Sequence, residues 1–191
     1  MIKILAFAGS ARKDSFNQKL VNIAAVGARE AGAEVSVIAL ADFEMPIYNA
    51  DFESEFGLPD KAKAFKRLLI EHDGFLIASP EYNSAFSPLL KNVIDWASRA
   101  ESSDEPPLVA YKGKVAALMA TSPGGLGGIR GLVFLRMLLG NIGVTVIPNQ
   151  KTIAFASKAF NAEATLVNEA DQTAIMALGA ELAATTARLK S

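Results

Sequence analysis

The sequence predicts an α/β fold: a doubly wound, five-stranded parallel sheet with helices on both faces. Three observations carry it. Five short apolar runs alternate with segments whose apolar residues recur at helical spacing. Apart from residues 34–39, which alternate, the runs are nearly continuous in apolar residues, as befits strands buried on both faces. At 191 residues, with 51% hydrophobic and 20% charged, the chain suits one well-buried domain over 1–191. Of the two common doubly wound arrangements, the strand order 2-1-3-4-5 is favoured.

Residues 2–8 read as the first strand, ending at Gly9. Phe16, Leu20, Ile23, Ala24 and Gly27 share a face of the first helix, and Gly32 offers its C-terminal stop. Residues 34–39 form the second strand. Ala62, Phe65, Leu68 and Leu69 place a helix over 61–71, ahead of a third strand at 74–78. Pro88 opens the next helix, where its missing N–H has no intrahelical partner to lose, and Leu89, Leu90, Val93, Ile94 and Ala97 line one side. Residues 115–120 are the fourth strand, followed by a helix bearing Leu132, Leu135, Arg136 and Leu139. The fifth strand, 144–147, is expected to stop at Pro148, and an alanine-rich helix over roughly 162–189 closes the chain. Residues 41–60 and 100–113 read as loops; the first, rich in Asp and Glu, is too long for a simple connector and reads as a lid, a subunit contact or merely solvated charge.

Composition narrows the function. The absence of cysteine excludes disulfides, thiolate metal sites, cysteine-ligated clusters and a cysteine nucleophile. A single histidine, His72, supplies no histidine metal cluster; it reads as a helix-end surface residue and leaves an esterase triad on Ser10 or Ser122 poorly supported. A net charge of −1 speaks against a nucleic-acid partner. With no signal-like start and no apolar run approaching a span, the expectation is a cytoplasmic protein without membrane insertion.

Ligands of such sheets sit beyond the carboxyl ends of the strands, and three loops there are unusual. Gly9-Ser10-Ala11-Arg12-Lys13-Asp14-Ser15-Phe16-Asn17 combines hydroxyls, an amide and a guanidinium with a helix start, which suits a terminal monophosphate. It contains neither the dinucleotide fingerprint nor the triphosphate loop. Residues 79–87 can present backbone N–H and C=O groups to the polar edge of a flat heterocycle with Tyr82 against its plane, while the Glu81 carboxylate reads equally as a solvated charge. Thr121-Ser122-Pro123-Gly124-Gly125-Leu126-Gly127-Gly128 permits close backbone approach. Together they describe a site for a phosphorylated planar ring.

The strings G-S-A-R-K-D-S-F-N, P-E-Y-N-S-A-F-S-P-L-L-K-N-V-I-D-W and S-P-G-G-L-G-G-I-R-G resemble the NADPH-dependent FMN reductase family, which includes quinone, azo-dye and chromate reductases. The resemblance implies a flavodoxin-like fold, bound FMN, NADPH or NADH as electron donor, a small-molecule acceptor, and a homodimer or homotetramer. Position by position it implies Ser10, Arg12, Ser15, Asn17 and the Phe16 backbone around the phosphate. It sets Pro80, Glu81, Tyr82 and Asn83 along the isoalloxazine, with Ser122 and Gly124 approaching from the fourth-strand loop. No catalytic side chain is implied, because the cofactor carries the redox chemistry. Lys91, Asn92, Asp95 and Trp96 lie on a helix and imply packing and subunit contact. The competing readings are a one-electron carrier of flavodoxin type, for which the charge is too nearly balanced, and a non-catalytic FMN-binding module.

Overall fold

The computed structural model describes residues 1–190. Period-two alternation in the central strands explains why the chain buries two cores. In β1 (Lys3–Ala8), Ile4, Ala6 and Ala8 enter one cluster, while Leu5 and Phe7 enter another on the opposite face. The first cluster is closed by α1 (Phe16–Glu30) and the C-terminal helix, the second by the helices that follow the third and fourth parallel strands.

After α1 the chain forms β2 (Glu34–Ala39), a 3-10 turn (Leu40–Asp42), α2 (Ala50–Phe56), α3 (Asp60–Glu71) and β3 (Gly74–Ala78). A hairpin of β4 (Glu81–Tyr82) and β5 (Ala85–Phe86) leads into α4 (Pro88–Ala97), then β6 (Val115–Thr121), α5 (Ile129–Asn141) and β7 (Thr145–Ile153). The short α6 (Ala156–Ala159) and long α7 (Glu169–Lys190) complete it. The parallel sheet runs β2-β1-β3-β6-β7, which is the order 2-1-3-4-5 among its five strands. As the sequence predicts, Pro88 stands at the start of α4, where the Ser87 hydroxyl accepts the Leu90 N–H.

Four details differ from the sequence expectations, each for a physical reason. The fifth parallel strand does not stop at Pro148: β7 continues to Ile153 across an irregularity opposite Ala116 and Leu118. It is an edge strand, where proline is tolerated, and the Arg136 guanidinium donates to the carbonyls of Val146, Ile147 and Pro148 and to the Gln150 side chain. The last helix begins at Glu169, not near 162. Asn161 and Thr165 close a turn through their side chains, Ala164 is left-handed, and Asn168 Oδ1 accepts the Asp171 N–H where the helix starts. Residues 41–60 contain α2 and are clamped onto α4: Pro46 O accepts from Trp96 Nε1 and Asn92 Nδ2, and Asn92 Oδ1 accepts the Tyr48 N–H. Finally, His72 is buried, between Leu68 O (Nδ1, 2.6 Å) and the Ser36 hydroxyl (Nε2, 2.9 Å).

Candidate functional site

At the carboxyl edge of the sheet, the loops after β1, β3 and β6 converge on one cleft. Ser10, Arg12, Ser15, Phe16 and Asn17 line it from the first loop, Pro80, Glu81 and Tyr82 from the second, and Thr121, Ser122 and Pro123 from the third. Gly9 lets these loops close up. A side chain there would meet Leu90 at 3.1 Å and Pro80 at 3.3 Å, and the Ser87 hydroxyl donates to its carbonyl.

The first loop is an anion cradle in its chemistry. Ser15 caps α1, its hydroxyl accepting the Gln18 N–H, and the first intrahelical bond runs from Lys19 N–H to Ser15 O. The N–H groups of Phe16 and Asn17 therefore stand ahead of the helical ladder, at the positive end of its dipole. Ser10 Oγ accepts the Arg12 N–H, and the Arg12 guanidinium donates to Asp14 O and lies over the Phe16 ring, 5.5 Å from its centroid.

Asn17 lines the same cleft and is tied to β6 as well. Its side chain, expected to donate to the phosphate, is buried and bonded to Thr121: Nδ2 donates to Thr121 O and Oδ1 accepts Thr121 N–H, both at 3.0 Å. It stitches the start of α1 to the end of β6, which leaves its backbone N–H and the second Nδ2 hydrogen for a ligand.

Glu81 is likewise not a solvated charge. Its carboxylate is buried against the start of α5, where it accepts the Arg130 and Gly131 N–H groups and pairs with the Arg130 guanidinium. Burial pushes the carboxyl up, but the hydrogen bonds from Arg130 and Gly131 and the Arg130 charge outweigh it, so the group lies below the usual range. The hairpin carrying Glu81 turns through two left-handed residues, Asn83 (φ 50°) and Ser84 (φ 69°), a two-residue turn matched to strand twist. Tyr82 is left about half exposed beside the cleft, whereas Asn83 sits at the turn and does not line it.

In the third loop, a side chain at Gly124 would meet nothing closer than the Ser122 hydroxyl at 3.9 Å, so its surface is open to a ligand. The N–H groups of Gly124 and Gly125 have no acceptor among the described residues. Gly124 itself is not on the cleft wall; Thr121 and Pro123, which sequence reasoning passed over, are. Both lay inside the glycine-rich string, so the signal was present. Arg130, also missed as a partner of Glu81, sits two residues beyond that string's last glycine pair.

The described residues offer no cluster of His, Asp or Glu that could hold a metal ion, and no helix among them is long and apolar enough to cross a membrane.

Comparison with known proteins agrees with this architecture. The chain is 34% identical over its full length to an NADPH:quinone oxidoreductase of Arabidopsis thaliana, spanning 94% of that protein. It is 34% identical over 66% of its length to a 2-hydroxy-1,4-benzoquinone reductase of a Burkholderia species, spanning 63% of that relative. Its fold superposes on FerB, a flavoenzyme NAD(P)H:(acceptor) oxidoreductase of Paracoccus denitrificans, with a TM-score of 0.81, 25% identity and 98% of each chain covered. Over residues 2–158 the sequence matches the family model itself, and the chain belongs to the NADPH-dependent FMN reductase family.

Proposed function

We propose that this chain is an FMN-dependent NAD(P)H oxidoreductase. It passes two electrons, by a ping-pong scheme in one pocket, to quinones, flavins, azo compounds or similar small acceptors. The observation that carries the reading is the convergence of an anion cradle with the loops after β3 and β6 on one cleft. The residues fit the cofactor. Phe16 and Asn17 N–H, the Ser10 and Ser15 hydroxyls and Arg12 suit its phosphate, and the uncommitted Gly124 and Gly125 N–H groups suit the polar edge of its ring.

When bound, FMN supplies the electron-accepting and electron-donating chemistry, and the protein supplies binding and orientation. Arg12 and the start of α1 hold the dianionic end. Pro80, the Glu81 backbone and Tyr82 form one wall and Thr121, Ser122 and Pro123 the other, with Gly124 just beyond it and Asn83 fixing the turn behind Tyr82. The free N–H groups of Gly124 and Gly125 would offer the bound ring hydrogen bonds from fixed positions, suited to stabilising negative charge on it. No side chain must move a proton for the first half-reaction, and the cleft places none in that role.

The same reading includes a homodimer or homotetramer in the cytoplasm. Val133, Phe134 and Met137 leave an apolar stripe on the outer face of α5, and Lys91 and Asp95 form an ion pair on α4 beside it. Anaerobic titration of FMN-loaded protein with NADPH and then NADH tests the function. Bleaching of the flavin band, followed by its recovery on adding a quinone, is the expected result. A bound flavin that neither nucleotide reduces would leave the chain a carrier or a binding module.

A further inference from the structure

An exposed aromatic residue occupies a backbone position that would suit glycine better. Phe155 joins β7 to α6 in the left-handed region (φ 50°, ψ 49°), yet its side chain is 58% exposed. Backbone strain of this kind persists where the surroundings over-determine it, and it concentrates at ligand-binding sites. Here the surroundings are the cleft loop. Phe155 N–H donates to Gly124 O, Ala156 N–H donates to Ser122 O, and the ring edge lies 3.3 Å from where a Gly125 side chain would begin. Neither burial nor backbone preference accounts for an aromatic ring at this point.

The surroundings also carry charge. The ring walls a shallow hollow with Ala154, Lys158 and Ala159. One turn further on, Phe160 stacks on Phe16 (centroids 5.6 Å apart, planes at 20°), and the other contacts of the Phe16 ring are cationic: Arg12 and Lys19, each 5.5 Å from its centroid. No carboxylate among the described residues pairs with Lys19 or Lys158. The strip bordering the phosphate cradle is therefore aromatic and positively charged, in a chain whose net charge is −1.

We propose that this strip docks the adenosine end of the nicotinamide dinucleotide donor, with the adenine against Phe155 and its phosphates on Lys158 and Lys19. The proposal rests on the reductase reading above and makes it more specific, since a 2′-phosphate beside Lys158 favours NADPH over NADH. A neutral quinone has no use for the two lysines. A flat purine carrying phosphates matches both the ring and the charge.

Binding, rather than turnover, tests it. Adenosine 2′,5′-bisphosphate and 5′-AMP are titrated calorimetrically into the FMN-loaded full chain. Wild-type protein is expected to bind the bisphosphate at least tenfold more tightly than AMP. Phe155→Gly removes the ring but suits the left-handed backbone, so the thermal midpoint holds or rises while both affinities fall about tenfold. Phe155→Tyr keeps the ring and restores both. Lys158→Ala brings the bisphosphate down to the AMP value. A wild-type protein that binds neither nucleotide, or variants that stay within twofold of it, would overturn the proposal. Failure of NADPH to reduce the flavin would instead sink the reductase reading, and the fragment titration separates the two.

Discussion

At the residue scale, the cleft depends on side chains whose partners are remote in sequence. Asn17 pairs both ends of its amide with the backbone of Thr121, 104 positions away, in a buried setting. Asn17→Ala leaves a buried N–H and C=O unpaired, which costs about 2–4 kcal/mol for the pair. Urea unfolding should show that loss in the apo protein, before any effect on flavin. Arg12 behaves oppositely: it is exposed and its side chain bonds only within its own loop. Arg12→Ala should leave the unfolding midpoint unchanged and weaken FMN binding about tenfold by fluorescence quenching, as expected for one charge-assisted contact. Equal stability of Asn17→Ala and wild type would refute the stitching role. Equal flavin affinity of Arg12→Ala and wild type would refute the cradle. The cradle was legible because hydroxyls, guanidinium and helix start are contiguous from Gly9 to Asn17. The pairings Asn17–Thr121 and Glu81–Arg130 were not, because nothing local in either string marks a partner 49 or 104 residues away.

At the scale of elements, α1 and α7 show how a residue's usual preference can be reversed. They cross at glycines: a side chain on Gly27 would lie 2.0 Å from Met176 O, and one on Gly179 would lie 1.9 Å from Ala24 O. In an isolated helix, glycine to alanine stabilises by about 1 kcal/mol. Here the added methyl collides with backbone, which cannot swing aside as a side chain can, and the helices must separate along the core of that face. Gly179→Ala is therefore expected to destabilise by about 1–3 kcal/mol, read as a lower denaturation midpoint. An unchanged or raised midpoint would mean that the crossing is looser than described. The five parallel strands and the helix starts at Phe16 and Pro88 were legible in the period and caps. The end of β7 was not. Pro148 reads as a stop, and only the Arg136 guanidinium, reaching over from α5, shows how the carbonyls around the irregularity are satisfied. The start of α7 was half legible. Asn168 three residues before Asp171 is a helix-start pattern, but the alanine-rich composition upstream masked it.

At the scale of the whole molecule, three carboxylates tie together segments far apart in sequence, and all three titrate below their usual range. Glu53 of α2 is lowered first by its hydrogen bond from Arg99 beyond α4, and burial only partly opposes this. Burial raises Asp73, but hydrogen bonds from Lys190 of α7 and the Lys3 N–H of β1 more than offset it. Burial likewise raises Glu81, and Arg130 more than offsets it. A carboxylate whose folded value is depressed contributes stability above its unfolded value and loses it as pH falls through the folded value. The unfolded values are 4.5 for the glutamates and 3.8 for the aspartate. These ties should therefore contribute a constant amount between pH 6 and 8 and fail progressively below about pH 4.5. Lys190 and Arg99 are about half exposed, so solvent screening limits their two pairs to roughly 0–1 kcal/mol each. Glu81 is the exception, its side chain only 7% exposed and its acceptors filled by the start of α5. Acid should thus weaken the clasp between the β4–β5 hairpin and the start of α5, beside the cleft. Urea midpoints measured from pH 7 to pH 3.5 should fall below pH 4.5. Glu81→Gln should start lower and fall less steeply, because the titrating group is gone. Parallel curves for the two proteins would show that the acid sensitivity lies elsewhere.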